Sequence, residues 1–553
     1  MKLALVLLVA CAAPRQAPHV DDLDGLWGAD VVSTHQTAGQ LTIARAGDAW
    51  TATIAGTTAT LTRDGDWWKS DLGTGELRLA PERGEAFWLQ SPGVAIDLAF
   101  ATPLALSPTG SGFTATVTPL PDRLELYLTI AGTRAWIREP GHNVGAMVRD
   151  LRVARAGNAV VLSRADGRVA LRGTLGARGL HVELVGFDIA LDLTKRSSRA
   201  DAPGFYPRVT TAPYHYAPPA PGNGWPASTL AAEGMRDAPI EQLVRHIIDA
   251  VPTAWNSPAI QALVIARHGK LVVEEYFDGF TRATPHDTRS AGKSWSSALI
   301  GAAVDRGELT DATKLAGDDP DPRKAQITLA HLLTMSSGLS CDDDDDASPG
   351  NESTMQAQKA DRDWQHYALA LPMIRSPGER AVYCSGAINL VGVLLARATH
   401  AWIPALWNRD LAAPLGITHY YLDLQPNEQG YLAGGVYLEP LDFAKLAQVF
   451  LDRGRWQGKP IVSADWVARS VAAHASIHEP DDYGYAWWRR TLVVAGREHA
   501  AFYASGNGGQ IAMAIPDLDL VVAIMAGNYG DFRTWKHFID DDIASFVIPS
   551  VGK

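Results

Sequence analysis

The chain is 553 residues long, too long for one hydrophobic core at about 100–200 residues per domain. Hydrophobic residues make up 46% and charged residues 20%, which excludes a mainly disordered chain and a coiled coil. The formal net charge of −12, from 49 Lys and Arg against 61 Asp and Glu, argues against a cleft for a nucleic-acid backbone, which needs excess positive charge.

After Met1 and Lys2 a short apolar stretch runs from Leu3 to Ala10, the pattern of a secretory signal. Leu8-Val9-Ala10-Cys11 resembles the lipobox of bacterial lipoproteins, in which the cysteine becomes the lipidated first residue of the mature chain. That resemblance implies lipidation of Cys11 and a place in the cell envelope, on the periplasmic face of the membrane. An ordinary secretory signal is the other reading. Residues 1–21 are assigned to signal and tether. No later apolar run reaches the length of about eighteen residues that a spanning helix needs.

Residues 22–198 alternate apolar and polar positions in short stretches, among them 40–44, 50–55, 59–62, 114–117, 123–130, 160–163 and 181–185. Turns such as Ala46-Gly47-Asp48 separate them, which predicts an accessory antiparallel barrel or sandwich without a catalytic constellation. Seven prolines between Pro203 and Pro226 make residues 199–228 a linker expected to lie extended on the surface. From 229 to 553 the pattern turns mixed. Ile240, Leu243, Val244, Ile247 and Ile248 share one helical face. Strands are predicted at 261–267 and 270–276 about His268-Gly269, and at 509–515 and 518–526; helices are predicted at 290–304 and 535–547. Strands, then helices, then strands and a helix predict an α+β domain, one antiparallel sheet flanked by helices.

Ser290-Ala291-Gly292-Lys293 opens an apolar helical stretch. Positions three apart share a helix face, so Lys293 reaches the Ser290 hydroxyl. A hydroxyl is a weak nucleophile until a base takes its proton, and lysine serves as that base only where burial or a helix N-terminus favours its neutral form. The spacing alone is weak: Ser550 and Lys553 repeat it at the last residue, where no helix follows.

Three further motifs follow in order: His331 to Leu339, which reads HLLTMSSGL; Tyr383-Cys384-Ser385; and Ala504-Ser505-Gly506-Asn507-Gly508-Gly509-Gln510. With Gly434-Gly435-Val436-Tyr437 and Tyr483 to Trp488, they resemble the serine β-lactamase and penicillin-binding protein superfamily over about residues 235–548. The likeness is to the class C-like branch, which also holds esterases and 6-aminohexanoate-dimer hydrolases. The resemblance implies an antiparallel sheet with a helical subdomain. It makes Ser290 the acylated nucleophile, Lys293 its base and Tyr383 the proton shuttle to the leaving group. Tyr503-Ala504-Ser505 fits the Tyr-x-Ser pattern too, but inside the third motif. The oxyanion hole would be the N–H groups of Ser290 and Asn507. Ser385, where many members carry Asn, and Ser505 and Gln510 would face substrate. Trp487 and Trp488 line the acyl pocket or pack under the sheet. If the family fold holds, Cys341 and Cys384 lie close enough for a disulfide, two separate buried thiols being the alternative.

One departure bears on substrate. Ala504 stands where the family usually has Lys or His, so the cation that pairs with a substrate carboxylate is missing. Arg489, Arg490 or Arg497 could replace it from elsewhere. A buried unpaired carboxylate is costly, which favours an esterase or amidase over a β-lactamase or D-alanyl-D-alanine carboxypeptidase. A catalytically silent envelope binding protein is the third reading. The substrate expected is a small ester, amide or peptide-like molecule, with no cofactor and no metal. The run Asp342 to Asp346 is expected to be a solvated acidic loop.

Overall fold

Side-chain size alternates along strands Ile260–Arg267, Gln510–Ile515 and Leu520–Ala526, which are buried on both faces. Successive residues of a strand point to opposite faces. Ala262, Val264, Ala266, Ala512, Ala514 and Ala523 fall in one core; Leu263, Ile265, Ile511, Met513, Ile515 and Ile524 fall in another. The small side chains let the helix Pro440–Leu451 lie close on the first face, and the large ones meet the helix Asp237–Asp249 on the second.

These strands belong to an eight-stranded antiparallel sheet in a computed structural model. The structure describes residues 23–552 apart from 30, 31, 34, 94–97, 143–148, 187, 188, 316–319 and 359–361. The signal segment and Cys11 lie outside the described residues. The expected hairpin forms between Ile260–Arg267 and Lys270–Tyr276, and a helical subdomain is inserted before the strands of the third motif. The last helix differs from expectation: Phe532–His537 is α-helical, Phe538–Val547 is a wider π-type coil and Ile548–Ser550 closes it.

The N-terminal strands form two units rather than one. Gly25–Ala29, Tyr127–Ala131, Arg134–Arg138, Leu151–Ala156, Ala159–Ser163, Val169–Leu175, Leu180–Leu184 and Ile189–Arg196 close a barrel around its own apolar core. The strands between Gly39 and Val117 instead join a twelve-stranded sheet. Its far end is built by Tyr420–Leu424, Val436–Leu438 and His286–Asp287 from the C-terminal half. Leu422 pairs with Ala101, Tyr421 with Tyr437, and Asp287 with Tyr437. Local alternation predicts each strand but carries no information on which edge it will pair with.

The proline-rich linker does more than lie on the surface. Its backbone offers few donors, but its aromatic side chains bury. Trp225 packs edge-on against Trp456 at 4.8 Å and donates to the Leu441 carbonyl at 2.9 Å. Phe205 stacks on Trp136 of the barrel at 5.5 Å. The barrel is further tied to the C-terminal half by a buried ion pair, Arg138 Nη2 to Asp278 Oδ2 at 2.8 Å.

Burial pushes the Asp278 carboxyl up to about 6, with Arg138 opposing. An acid raised in the folded state favours folding while protonated, and that contribution is lost as pH rises through about 6. Replacing Arg138 by Met leaves a buried acid without its partner, a change that typically costs about 3–5 kcal/mol. The Arg138→Met protein is therefore expected to melt several degrees lower, with a larger deficit at pH 8 than at pH 5. An unchanged melting temperature at both pH values contradicts a stabilising role for the pair.

Candidate active site

The turn that presents Ser290 is locked from three sides. Asp287 sits in the sheet opposite Tyr437, and the Thr288 N–H donates to the Val436 carbonyl at 3.1 Å. The Asp287 carboxylate takes the Arg289 N–H on Oδ1 at 2.8 Å and lies 2.7 Å from the Arg289 Nε through Oδ2. Arg289 then adopts φ 49°, a left-handed conformation uncommon outside glycine. A Cβ on Gly506 would fall 2.2 Å from the Thr288 carbonyl oxygen, so only glycine lets the third-motif strand come this close.

Ser290 itself lies in a tight 3₁₀ turn, Arg289–Ala291, and the α-helix Gly292–Asp305 starts two residues later than predicted. The spacing still works, because side chains three apart eclipse in a 3₁₀ turn. Lys293 is 1% exposed, and its Nζ lies 2.8 Å from Ser290 Oγ. The same nitrogen sits 5.0 Å from the centre of the Tyr383 ring. Burial raises the Tyr383 phenol, while the Lys293 charge and the contact with Ser290 pull it back down. The Tyr383 ring stacks on Trp488 at 5.8 Å and 19°, and meets Tyr483 edge-on at 6.2 Å.

Tyr383 is also held through its main chain, by a residue the sequence did not single out. Asp343 donates its N–H to the Tyr383 carbonyl at 3.0 Å. Its carboxylate accepts the Ser385 N–H at 2.7 Å and the Glu352 N–H at 3.0 Å. Burial and the Glu352 carboxylate push Asp343 up to about 6, with Lys293 and Ser385 opposing. The acidic run is thus not uniformly solvated: Asp343 turns inward while Asp344, Asp345 and Asp346 are exposed. Cys341 and Cys384 form a disulfide with Cα atoms 5.5 Å apart. It ties this loop to the residue after Tyr383. Across 43 residues of chain, loop-closure entropy assigns the bridge about 4 kcal/mol.

A cavity of about 400 Å³ opens above Ser290, lined by Tyr383, Ser385, Trp488, Ser505 and Asn507. The structure therefore gathers Ser290, Lys293, Tyr383, Ser385, Ser505, Asn507 and Trp488 at one place. The Ser385 hydroxyl is fully buried near the Asp343 carboxylate and meets no hydrogen-bond geometry among the described residues. Asn507 Oδ1 accepts the Gly530 N–H at 2.8 Å, and Arg149 of the N-terminal half donates to the Gly530 carbonyl at 2.7 Å.

Two expected site residues point elsewhere. Gln510 is fully buried and bonds both ways with the Ala526 backbone of the next strand. Trp487 is fully buried between Phe450 and Phe502, because neighbouring residues of an extended chain face opposite ways and Trp488 takes the cavity side. Of the three candidate arginines, Arg490 alone lines the cavity, and Asp481 holds it through two contacts of 2.6 and 2.9 Å. Asp343 and Glu352 carry no motif of their own. The only signal for Asp343 was its place two residues after a cysteine that pairs beside Tyr383.

A family model described as Beta-lactamase matches residues 244–538. The chain is 24% identical over 363 residues to a 6-aminohexanoate-dimer hydrolase of Paenarthrobacter ureafaciens, covering 57% of this chain and 88% of that protein. Among solved structures, an octameric penicillin-binding protein homologue from Pyrococcus abyssi shares 18% identity at a TM-score of 0.44, over 56% of this chain and 76% of its own. A family VIII carboxylesterase shares 16% identity at a TM-score of 0.40, over 49% of this chain and 87% of its own.

The backbone bonds that Asp343 makes are strongest to a carboxylate. Turnover is therefore expected to fall as pH drops through about 6, where Asp343 takes a proton. In Asp343→Asn, kcat is expected to fall about tenfold at neutral pH, with that acidic limb gone and KM little changed. A variant with wild-type kcat and an unaltered acid limb contradicts this role.

Proposed function

Because the chain belongs to the beta-lactamase family, we propose that it is a serine hydrolase cleaving an ester or amide bond through an acyl-enzyme on Ser290. The observation that carries this reading is the 2.8 Å separation of Lys293 Nζ from Ser290 Oγ, with Tyr383 beside both. Lys293 takes the Ser290 proton as Oγ attacks the substrate carbonyl. The oxyanion receives the N–H groups of Ser290 and Asn507, preorganised donors that need not reorient as charge develops. Tyr383 passes a proton to the leaving group, and water then releases the acyl group from Ser290 by the same steps in reverse.

The cavity favours an ester or a simple amide over a carboxylate-bearing β-lactam. Ala504 supplies no cation, and Arg490 is already engaged by Asp481. An anionic substrate group would enter beside Asp343 and Glu352, and among the described lining residues the cation other than Arg490, Lys536, is exposed on the rim. The 6-aminohexanoate-dimer hydrolase relative supports amide cleavage as the second reading. Export as a lipoprotein through Cys11 remains part of this proposal and places the reaction in the cell envelope.

A fluorophosphonate probe is expected to label the wild-type protein on Ser290 and not to label Ser290→Ala. In that variant p-nitrophenyl ester hydrolysis should drop at least about a thousandfold, as expected for a lost nucleophile. Undiminished ester turnover in Ser290→Ala rules out the assignment.

A further inference from the structure

Charge divides unevenly around the cavity. Among the described residues that line it, five carboxylates, Asp343, Asp344, Asp346, Glu352 and Asp481, stand against two cations, Arg490 and Lys536. Arg490 is committed to Asp481 and also reaches Asp540 at 3.2 Å. Lys536 is exposed on the rim. Lys293 serves Ser290 below the floor. Asp344 has His478 as a partner, Nε2 to Oδ2 at 3.1 Å. The lining keeps a surplus of negative charge close to the reacting hydroxyl.

Aromatic faces share the same walls. Tyr383, Trp488, Tyr503, Phe532 and Trp535 all line the cavity. Aromatic rings together with carboxylates are the chemistry that holds an alkylammonium group, through the negative ring face and direct charge attraction. A second observation points to a bound molecule. The Ser385 hydroxyl is 0% exposed, lines this cavity and meets no hydrogen-bond geometry among the described residues, and a buried polar group in that state awaits a partner.

We propose that the substrate carries an ammonium group, on its acyl or its leaving side, which the loop carboxylates Asp344 and Asp346 and the aromatic walls draw into the cavity. This rests on the serine-hydrolase reading and names the substrate class for it. The reaction is unchanged: water adds across the scissile ester or amide bond, and the ammonium takes no part in bond making.

Two pairs of esters that differ by nitrogen against carbon test it on the full chain. The acyl pair is p-nitrophenyl 4-(trimethylammonio)butanoate and p-nitrophenyl 5,5-dimethylhexanoate; the leaving-group pair is acetylcholine and 3,3-dimethylbutyl acetate. At low ionic strength kcat/KM should favour the cation by about fivefold or more in one pair, and added salt should shrink the ratio. The double variant Asp344→Asn, Asp346→Asn should cut that ratio by about threefold or more. Ratios below about five in both pairs overturn the inference, as does a ratio the double variant leaves within about threefold. So does failure to turn over either pair by an enzyme whose Ser290 the fluorophosphonate labels, and in these cases the serine-hydrolase reading survives. Absence of both labelling and ester turnover sinks the two together.

Discussion

A lysine amine almost wholly withdrawn from water, 2.8 Å from a serine hydroxyl, is the contact on which the rest of this structure depends. Burying an amine costs free energy unless polar groups surround it. Here the partners are Ser290, the ring of Tyr383 and the nearby Asp343 carboxylate. Much of the surrounding architecture holds those partners in place. The left-handed Arg289 and the glycine approach at Gly506 set the height of Ser290; the disulfide and the Asp343 bonds set the main chain of Tyr383.

The N-terminal half is built into this frame rather than appended to it. The strand that leads into the Ser290 turn, His286–Asp287, ends a sheet whose other end lies near residue 107. Phe100 meets Tyr437 edge-on at 5.2 Å, and Tyr437 is the cross-strand neighbour of Asp287. The barrel side contributes Arg149, which braces the Gly530 loop that in turn holds Asn507. The Ser290 turn and the Asn507 loop are thus each supported by residues outside the span that the family model matches.

Much of the C-terminal fold was legible in the sequence because its signals are local. The apolar run of Ile260–Arg267 beside the His268-Gly269 turn and the 3.6-residue period of Asp237–Asp249 need no distant partner to be seen. Ser290, Lys293 and Tyr383 stood in motifs whose order survives any loop between them. What failed was non-local. The pairing of Leu422 with Ala101 joins chain segments more than three hundred residues apart, and no local pattern encodes it. Gln510 and Trp487 sit in motif phrases, yet strand alternation and side-chain packing turn them into the sheet and the core. Asp343 was hidden in a run of five aspartates, where composition suggests solvent and only the fold distinguishes the one that turns inward.

The most direct measurement is mass spectrometry of the protein quenched during turnover of a slowly deacylating ester, followed by peptide mapping. The expected result is a mass increase equal to the acyl group, confined to the peptide that contains Ser290. An acyl adduct on another residue, or measurable turnover with no adduct at any quench time, contradicts the account.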